Sequence, residues 1–254
     1  MSVNMITNSR EKVRDKTVLL YSGGQDSIII DHLLQPDILL NISMKSNYDH
    51  RERKSMSGLD ERMIFLDDVL NLGQFERDDA IVPNRNAHLI LLASHYGETI
   101  WLGSVSGDRS FDKDEKFYLR MEDLLNHMWQ EQHWTEERKF TIESPYKNKT
   151  KTELVREFIE VKGKDFAERE LFQSYSCYEG RQKHCGQCKA CFRKWVSLVN
   201  NNIFFEDDYW ENPPWEANWL DNIKDDVYNE TYRGKEDRDI LKAMIISENG
   251  EWKL

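Results

Sequence analysis

Lys16-Thr-Val-Leu-Leu-Tyr21, Ser22-Gly-Gly-Gln-Asp-Ser27 and Ile28-Ile-Ile-Asp-His-Leu-Leu34 follow one another without a break. They read as a short apolar strand, a glycine turn and the start of a helix, the opening of a parallel α/β unit. Working outward, Pro36 to Ser43 reads as a second strand behind its turn proline. The charged stretch from about Asp49 to Val69 is expected to be helical. Asn86 to Tyr96 carries apolar residues at helical spacing, and Thr99-Ile-Trp-Leu-Gly103 reads as a buried strand. A polar loop, Ser104 to Lys116, leads to a helix from about Phe117. Thr150-Lys-Thr-Glu153 fits a capping box opening another helix. Phe192 to Val199 also reads as helix. Beyond about Asn200, tryptophans, acids and Asn-Pro-Pro-Trp suggest a packed, irregular extension.

The turn Ser22-Gly23-Gly24-Gln25-Asp26-Ser27 is built for an anion. Two glycines allow close backbone approach, serine hydroxyls add donors, and the following helix offers unpaired N–H groups and the positive end of its dipole. The G-x-x-x-x-G-K-[ST] spacing of a Walker loop is absent. Gly-Gly alone would be a glycine turn with a serine cap. The whole hexapeptide between strand and helix resembles the SGGxDS loop of the PP-loop, or N-type, ATP pyrophosphatases.

All four cysteines fall in one stretch, Cys177, Cys185, Cys188 and Cys191, with C-x-x-C spacing in the later pairs. Thiolates on such turns converge on one point and match tetrahedral zinc. Buried free thiols or two disulfides are the plainer alternatives, and the clustering in an otherwise cysteine-free chain argues against them. His184 is an alternative ligand that four cysteines make unnecessary.

With 254 residues, 39% hydrophobic and 32% charged, the chain suits one large domain or a domain with an appendage. It has no apolar run long enough to span a bilayer, and Met1 to Lys16 carries no signal-type apolar segment. A cytoplasmic location is therefore expected. The net charge of −11 disfavours a large nonspecific nucleic-acid surface, though a local basic groove stays open.

Together, the N-terminal SGGxDS loop and the C-x7-C-G-x-C-x-x-C cluster resemble the 7-cyano-7-deazaguanine (preQ0) synthase family, QueC. Val82-Pro-Asn-Arg-Asn86 is similar to the family's P-x-R-N segment, and Gly103 with Asp108 to its G-x-x-x-x-D strand end. Pro145 to Glu153 is similar to its P-L-x-x-x-[ST]-K-x-E stretch, with tyrosine for leucine. The likeness covers roughly residues 16 to 200. Departures are Tyr48-Asp-His-Arg-Glu52 where the family often has Y-G-Q-R-H, a loose echo of an aromatic-and-Asp loop at Ser110 to Asp114, and Lys194 where an arginine usually stands, with Arg193 beside it.

The resemblance implies a doubly wound parallel sheet of adenine nucleotide alpha hydrolase-like (HUP-like) type with a C-terminal four-cysteine zinc-binding helical subdomain. It suggests residues 16–170 as the ATP-binding domain, 171–200 as the zinc segment and 201–254 as an extension packed on the body or at an oligomer interface. The implied reaction converts 7-carboxy-7-deazaguanine and ammonia, through adenylated and amide intermediates, to preQ0 with ATP and Mg2+. Ser22, Gly23, Gly24, Gln25, Asp26 and Ser27 would hold ATP. Asp26, Lys151, Arg85 and Asp108 are the candidate catalytic residues, and the four cysteines would hold structural Zn2+. A homodimer is implied as well. A related enzyme could stop at the amide or use another amine. An RNA-modifying PP-loop enzyme would need a sulfur-carrying cysteine arrangement and an RNA-binding module, neither of which is evident. A nonenzymatic zinc protein keeping the loop as a relic predicts no ATP turnover.

Overall fold

The computed structural model describes residues 13–56, 60–205 and 208–247. Strands β1 (Thr17–Leu20), β2 (Ile38–Ile42), β3 (Met63–Leu66), β4 (Thr99–Trp101) and β5 (Thr141–Glu143) form one parallel sheet in the order β3-β2-β1-β4-β5. Helices α1 (Gln25–Leu34), α2 (Asp49–Ser55), α3 (Arg85–Ala93), α4 (Glu115–Met128), α5 (Lys151–Lys162), α6 (Lys164–Gln173), α7 (Lys189–Val199), α8 (Lys224–Tyr228) and α9 (Lys235–Ile246) complete it. The chain leaves β1 toward β2 on one side and returns to β4 on the other. The crevice between the C-terminal ends of β1 and β4 is therefore the switch point at which open α/β sheets bind ligands.

Both sheet faces are covered, so neighbouring strand residues alternate between two apolar cores. Leu19 and Leu39 pack with Ile29, Leu154, Phe158 and Phe192 on one face. Val18, Leu40 and Ile100 pack with Ile90, Met121 and Leu125 on the other. This is the doubly wound α/β fold expected from the sequence.

Two expectations are corrected and one strand is added. The stretch from Asp49 to Val69 is not one helix: α2 ends at Ser55, and Met63-Ile-Phe-Leu66 is the edge strand β3. Charges on either side disguise it, and the strand is only half covered. The three-residue strand β5 has a single buried residue, too little to register as a pattern. The extension is partly regular: α9 buries Ile240, Ala243 and Met244 and lies against α7. Trp210 is buried, while Trp215 rests on Trp195 and Trp219 on Phe192, with ring centroids 5.4 and 5.3 Å apart. Among the described residues, no helix is long and apolar enough to cross a membrane.

The capping box opens α5 as read. Thr150 Oγ1 accepts from the Glu153 N–H at 3.2 Å, and Glu153 Oε2 accepts from the Thr150 N–H at 2.8 Å. Thr150→Ala is expected to cost about 1 kcal/mol. Urea unfolding should show a lower midpoint at an unchanged slope.

Candidate active site

The loop after β1 reverses direction at Gly23, whose φ of +69° only glycine adopts without strain. Space there is equally restrictive, since a Cβ would lie 2.7 Å from Ser55 Oγ. The Gly23 carbonyl accepts from the Tyr175 N–H at 3.1 Å and the Ser55 hydroxyl at 3.4 Å. Inside the loop, Ser27 Oγ donates to the Gly24 carbonyl (3.0 Å) and lies 3.4 Å from Ser22 Oγ. Gln25 faces inward and donates to Ser197 Oγ of α7 at 2.7 Å. The loop thus presents Ser22, Gly24, Asp26 and Ser27 to a solvent-open cleft.

Charged side chains gather along the same cleft in compensated sets. Lys151, the first residue of α5, is ion-paired with Asp26, the pair being 13% and 15% exposed. Just after β4, a Cβ on Gly103 would lie 3.6 Å from Asp26 Cβ. Five residues later, Asp108 accepts from Arg193 Nη1 at 2.6 Å and pairs with Lys113 Nζ at 3.2 Å. Burial alone would raise the Asp108 carboxyl, but Lys113, Arg193 and Lys151 outweigh it and hold the group well below the usual carboxylate range. Arg193 is gripped on its other side by Glu236 of α9.

The cleft has a second wall, formed by Tyr48, Glu52, Arg85, Asn86 and Tyr178. Arg85 opens α3 and its Nη1 donates to Tyr48 Oη at 3.2 Å. Tyr48 and Tyr178 rings lie 5.9 Å apart. Glu52 stands on α2, one turn before Ser55, whose hydroxyl donates to the Glu52 carbonyl. Withdrawal from water pushes the Glu52 carboxyl up to about 8, with Arg85 pulling the other way and Asp49 adding to the rise. A half-hidden acid that keeps its proton at neutral pH can donate or accept as a ligand requires.

The four cysteine sulfurs lie within 4.8 Å of one another, and Cys185 Sγ is 3.9 Å from Cys191 Sγ. Zinc–sulfur bonds of about 2.3 Å in a tetrahedron ask for sulfurs roughly 3.8 Å apart, so the donor set fits a metal such as zinc. No disulfide forms among them. Backbone N–H groups of Cys185, Cys188 and Cys191 point at neighbouring sulfurs at 3.3–3.4 Å, which suits thiolates. His184 turns away, accepting from the Ser176 N–H and stacking on Tyr209. The cluster stands directly behind Tyr175 and Ser176, the segment that bonds the phosphate-type loop.

Every catalytic and loop residue singled out from the sequence comes to this cleft except Gly23 and the side chain of Gln25, which support it from behind. Lys113 and Glu52 were seen in the sequence only as departures from a pattern, and Glu236 had no signal at all. The cleft position beside Asp108 belongs to Arg193. Lys194 instead directs its buried ammonium to Leu171 O (2.9 Å), Ser174 O (2.7 Å) and Tyr209 Oη (2.5 Å). Phe192 is core, whereas Tyr178 is 41% exposed at the cleft.

A family profile described as "Queuosine biosynthesis protein QueC" matches residues 59–201. The 7-cyano-7-deazaguanine synthase of Marinobacter nauticus is 25% identical over 222 residues, covering 74% of this chain and 95% of the relative. That of Pseudoalteromonas translucida is 26% identical over 224 residues with the same coverage. The 7-cyano-7-deazaguanine synthase 2 of Colwellia psychrerythraea is 26% identical over 220 residues, again with 74% and 95% covered.

Two outcomes are expected. Cys188→Ser should lower the zinc content of purified protein below one per chain, measured by plasma mass spectrometry, and lower its melting temperature. For Glu52, the folded chain holds the proton more tightly than the unfolded one. Its contribution is therefore complete below the ordinary glutamate range and is lost as pH rises to about 8. Glu52→Gln should gain melting temperature relative to wild type between pH of about 5 and about 8, followed by scanning calorimetry.

Proposed function

The chain belongs to the QueC family, and from that premise we propose that it makes 7-cyano-7-deazaguanine from 7-carboxy-7-deazaguanine, ammonia and ATP. One observation carries this reading: the SGGQDS loop, the Asp26–Lys151 pair and the Arg85–Glu52 wall line a single cleft. A triphosphate and a small heterocyclic acid could lie there end to end.

A carboxylate resists displacement because its oxygen leaves poorly. In this reading the acid's oxygen attacks the α-phosphorus of ATP, the bond to the β-phosphate breaks and pyrophosphate leaves. Ammonia adds to the activated carbon, AMP departs and a proton is lost, giving the amide. A second ATP activates the amide oxygen in the same way, releasing pyrophosphate and one N–H proton, and loss of AMP with the remaining N–H proton leaves the nitrile. The protein's part is positioning and charge stabilisation. Ser22, Gly24, Gln25 and Ser27 cradle phosphates through hydroxyls and backbone N–H groups, on a turn that Gly23 makes possible. Lys151 neutralises phosphate charge, Asp108 orients Lys113 and Arg193, and Arg85 pairs with the acid.

Magnesium, which favours carboxylates together with phosphate oxygens, would find its protein ligand in Asp26, whose carboxylate borders the cleft. Zinc closed in by four sulfurs has no open position, so it would pin the 171–200 segment rather than enter the chemistry. Residues 16–170 would form the ATP domain and 201–254 the extension, in a homodimeric cytoplasmic enzyme. Glu52 favours one second reading, in which the altered wall halts the reaction at the amide or admits another amine.

Mass spectrometry of protein, ATP, magnesium, ammonium and 7-carboxy-7-deazaguanine tests this. The nitrile should form only with ATP, and Ser22→Ala should slow it by about 10²-fold or more. An amide alone would select the second reading, and no ATP-dependent product would overturn both.

A further inference from the structure

Arg193 reaches the cleft with three of its N–H donors already engaged. Its Nε and Nη2 donate to Glu236 Oε1 and Oε2, each at 2.6 Å, and its Nη1 donates to Asp108 Oδ1 at 2.6 Å. The side chain of Glu236 is 2% exposed and that of Arg193 is 11% exposed. Arg193 lines the cleft and Glu236 does not. Glu236 also lies outside residues 59–201, the part of the chain that the family profile matches.

A guanidinium carries five N–H donors in a rigid fork. Three of them are engaged here, which leaves two for a ligand. An arginine on four rotatable bonds would otherwise sample many positions, and ordering it when the ligand arrives would weaken binding. The bidentate carboxylate removes that freedom in advance. The backbone around Glu236 is shaped for the same contact. Gly107 has φ +92°, and a Cβ on it would lie 2.1 Å from Glu236 Oε2. Arg233, three residues before Glu236, donates from Nη1 to the Gly107 carbonyl at 2.6 Å. The Asp237 carboxylate in turn accepts from the Arg233 N–H at 2.9 Å. The 103–108 turn and the start of α9 are therefore locked together at two points.

We propose that Glu236, supplied by the C-terminal extension, is a positioning residue that holds Arg193 ready for a phosphoryl oxygen of the nucleoside triphosphate. The phosphate side is favoured over the acid's carboxylate because Arg193 shares Asp108 with Lys113, next to Lys151 and the loop. Arg85 serves the opposite wall. The inference rests on the nucleotide part of the proposed function and gives the extension a role in it.

The test is calorimetric titration of the full-length protein with α,β-methylene-ATP and magnesium, which needs no acid substrate. Glu236→Gln keeps the shape and removes the charge, and should weaken binding about tenfold or more. Arg193→Ala should weaken it at least as much, and the double variant no further than Arg193→Ala, since Glu236 acts only through Arg193. Glu236→Asp should recover part of the affinity, and it stands in if the glutamine variant fails to fold. In turnover, KM for ATP should rise while KM for the acid stays put. A purely structural loss would instead lower the active fraction at an unchanged KM. Wild-type affinity in Glu236→Gln, or additive losses in the double variant, would overturn the inference alone. No binding by wild type would overturn the nucleotide reading with it.

Discussion

The carbonyl of Gly23 is where this structure is tied. A glycine at φ +69° has no side chain to hold it, and the loop it turns must stay open toward a ligand. Its fixed points come from far away in sequence: the Tyr175 N–H on one side and the Ser55 hydroxyl on the other. Tyr175 is rigid because the cysteine cluster begins two residues later, and Lys194 clamps the Ser174 carbonyl just before it. Loop geometry is thus borrowed from the C-terminal third of the chain. The N-terminal unit supplies the sheet and the helix dipole, and the cysteine segment supplies the precision.

Electrostatics follow the same division. Buried ion pairs rarely add much stability, because desolvation consumes most of the Coulomb gain. Here they set positions. Asp26 with Lys151, and Asp108 with Arg193 and Lys113, place cations along one wall without leaving any of them unpaired before the ligand arrives. The opposite wall behaves differently. Glu52 is kept near neutrality by its surroundings, beside an arginine that hydrogen-bonds a tyrosine rather than a carboxylate. One wall is charged and compensated, and the other is adaptable.

Much of this was legible in the chain because local rules act over a few residues. The Ser22–Ser27 loop, the Thr150–Glu153 capping box and the four cysteines each declare themselves within a short window. Asp26, Arg85, Asp108 and Lys151 could be named because they sit inside such windows. β3 was hidden because an edge strand needs only a half-apolar face and is flanked here by charges. Glu236 was hidden for a different reason. Nothing in Gly-Lys-Glu-Asp distinguishes a solvated helix start from a buried guanidinium clamp. Only the tertiary approach of α9 to α7 and to Gly107 makes the difference.

The order in which the chain is made gives the Lys194 staple another meaning. Domains tend to form from the N-terminus as synthesis proceeds. The sheet can therefore assemble while Tyr209, the partner that the Lys194 ammonium meets in the extension, is still inside the ribosome. Until that phenol arrives, the buried Lys194 amino group has only Leu171 and Ser174 to bond. The extension thus completes the bonding of a group that earlier segments bury, and a chain cut short before Tyr209 would keep the Ser174 clamp but lack its last acceptor.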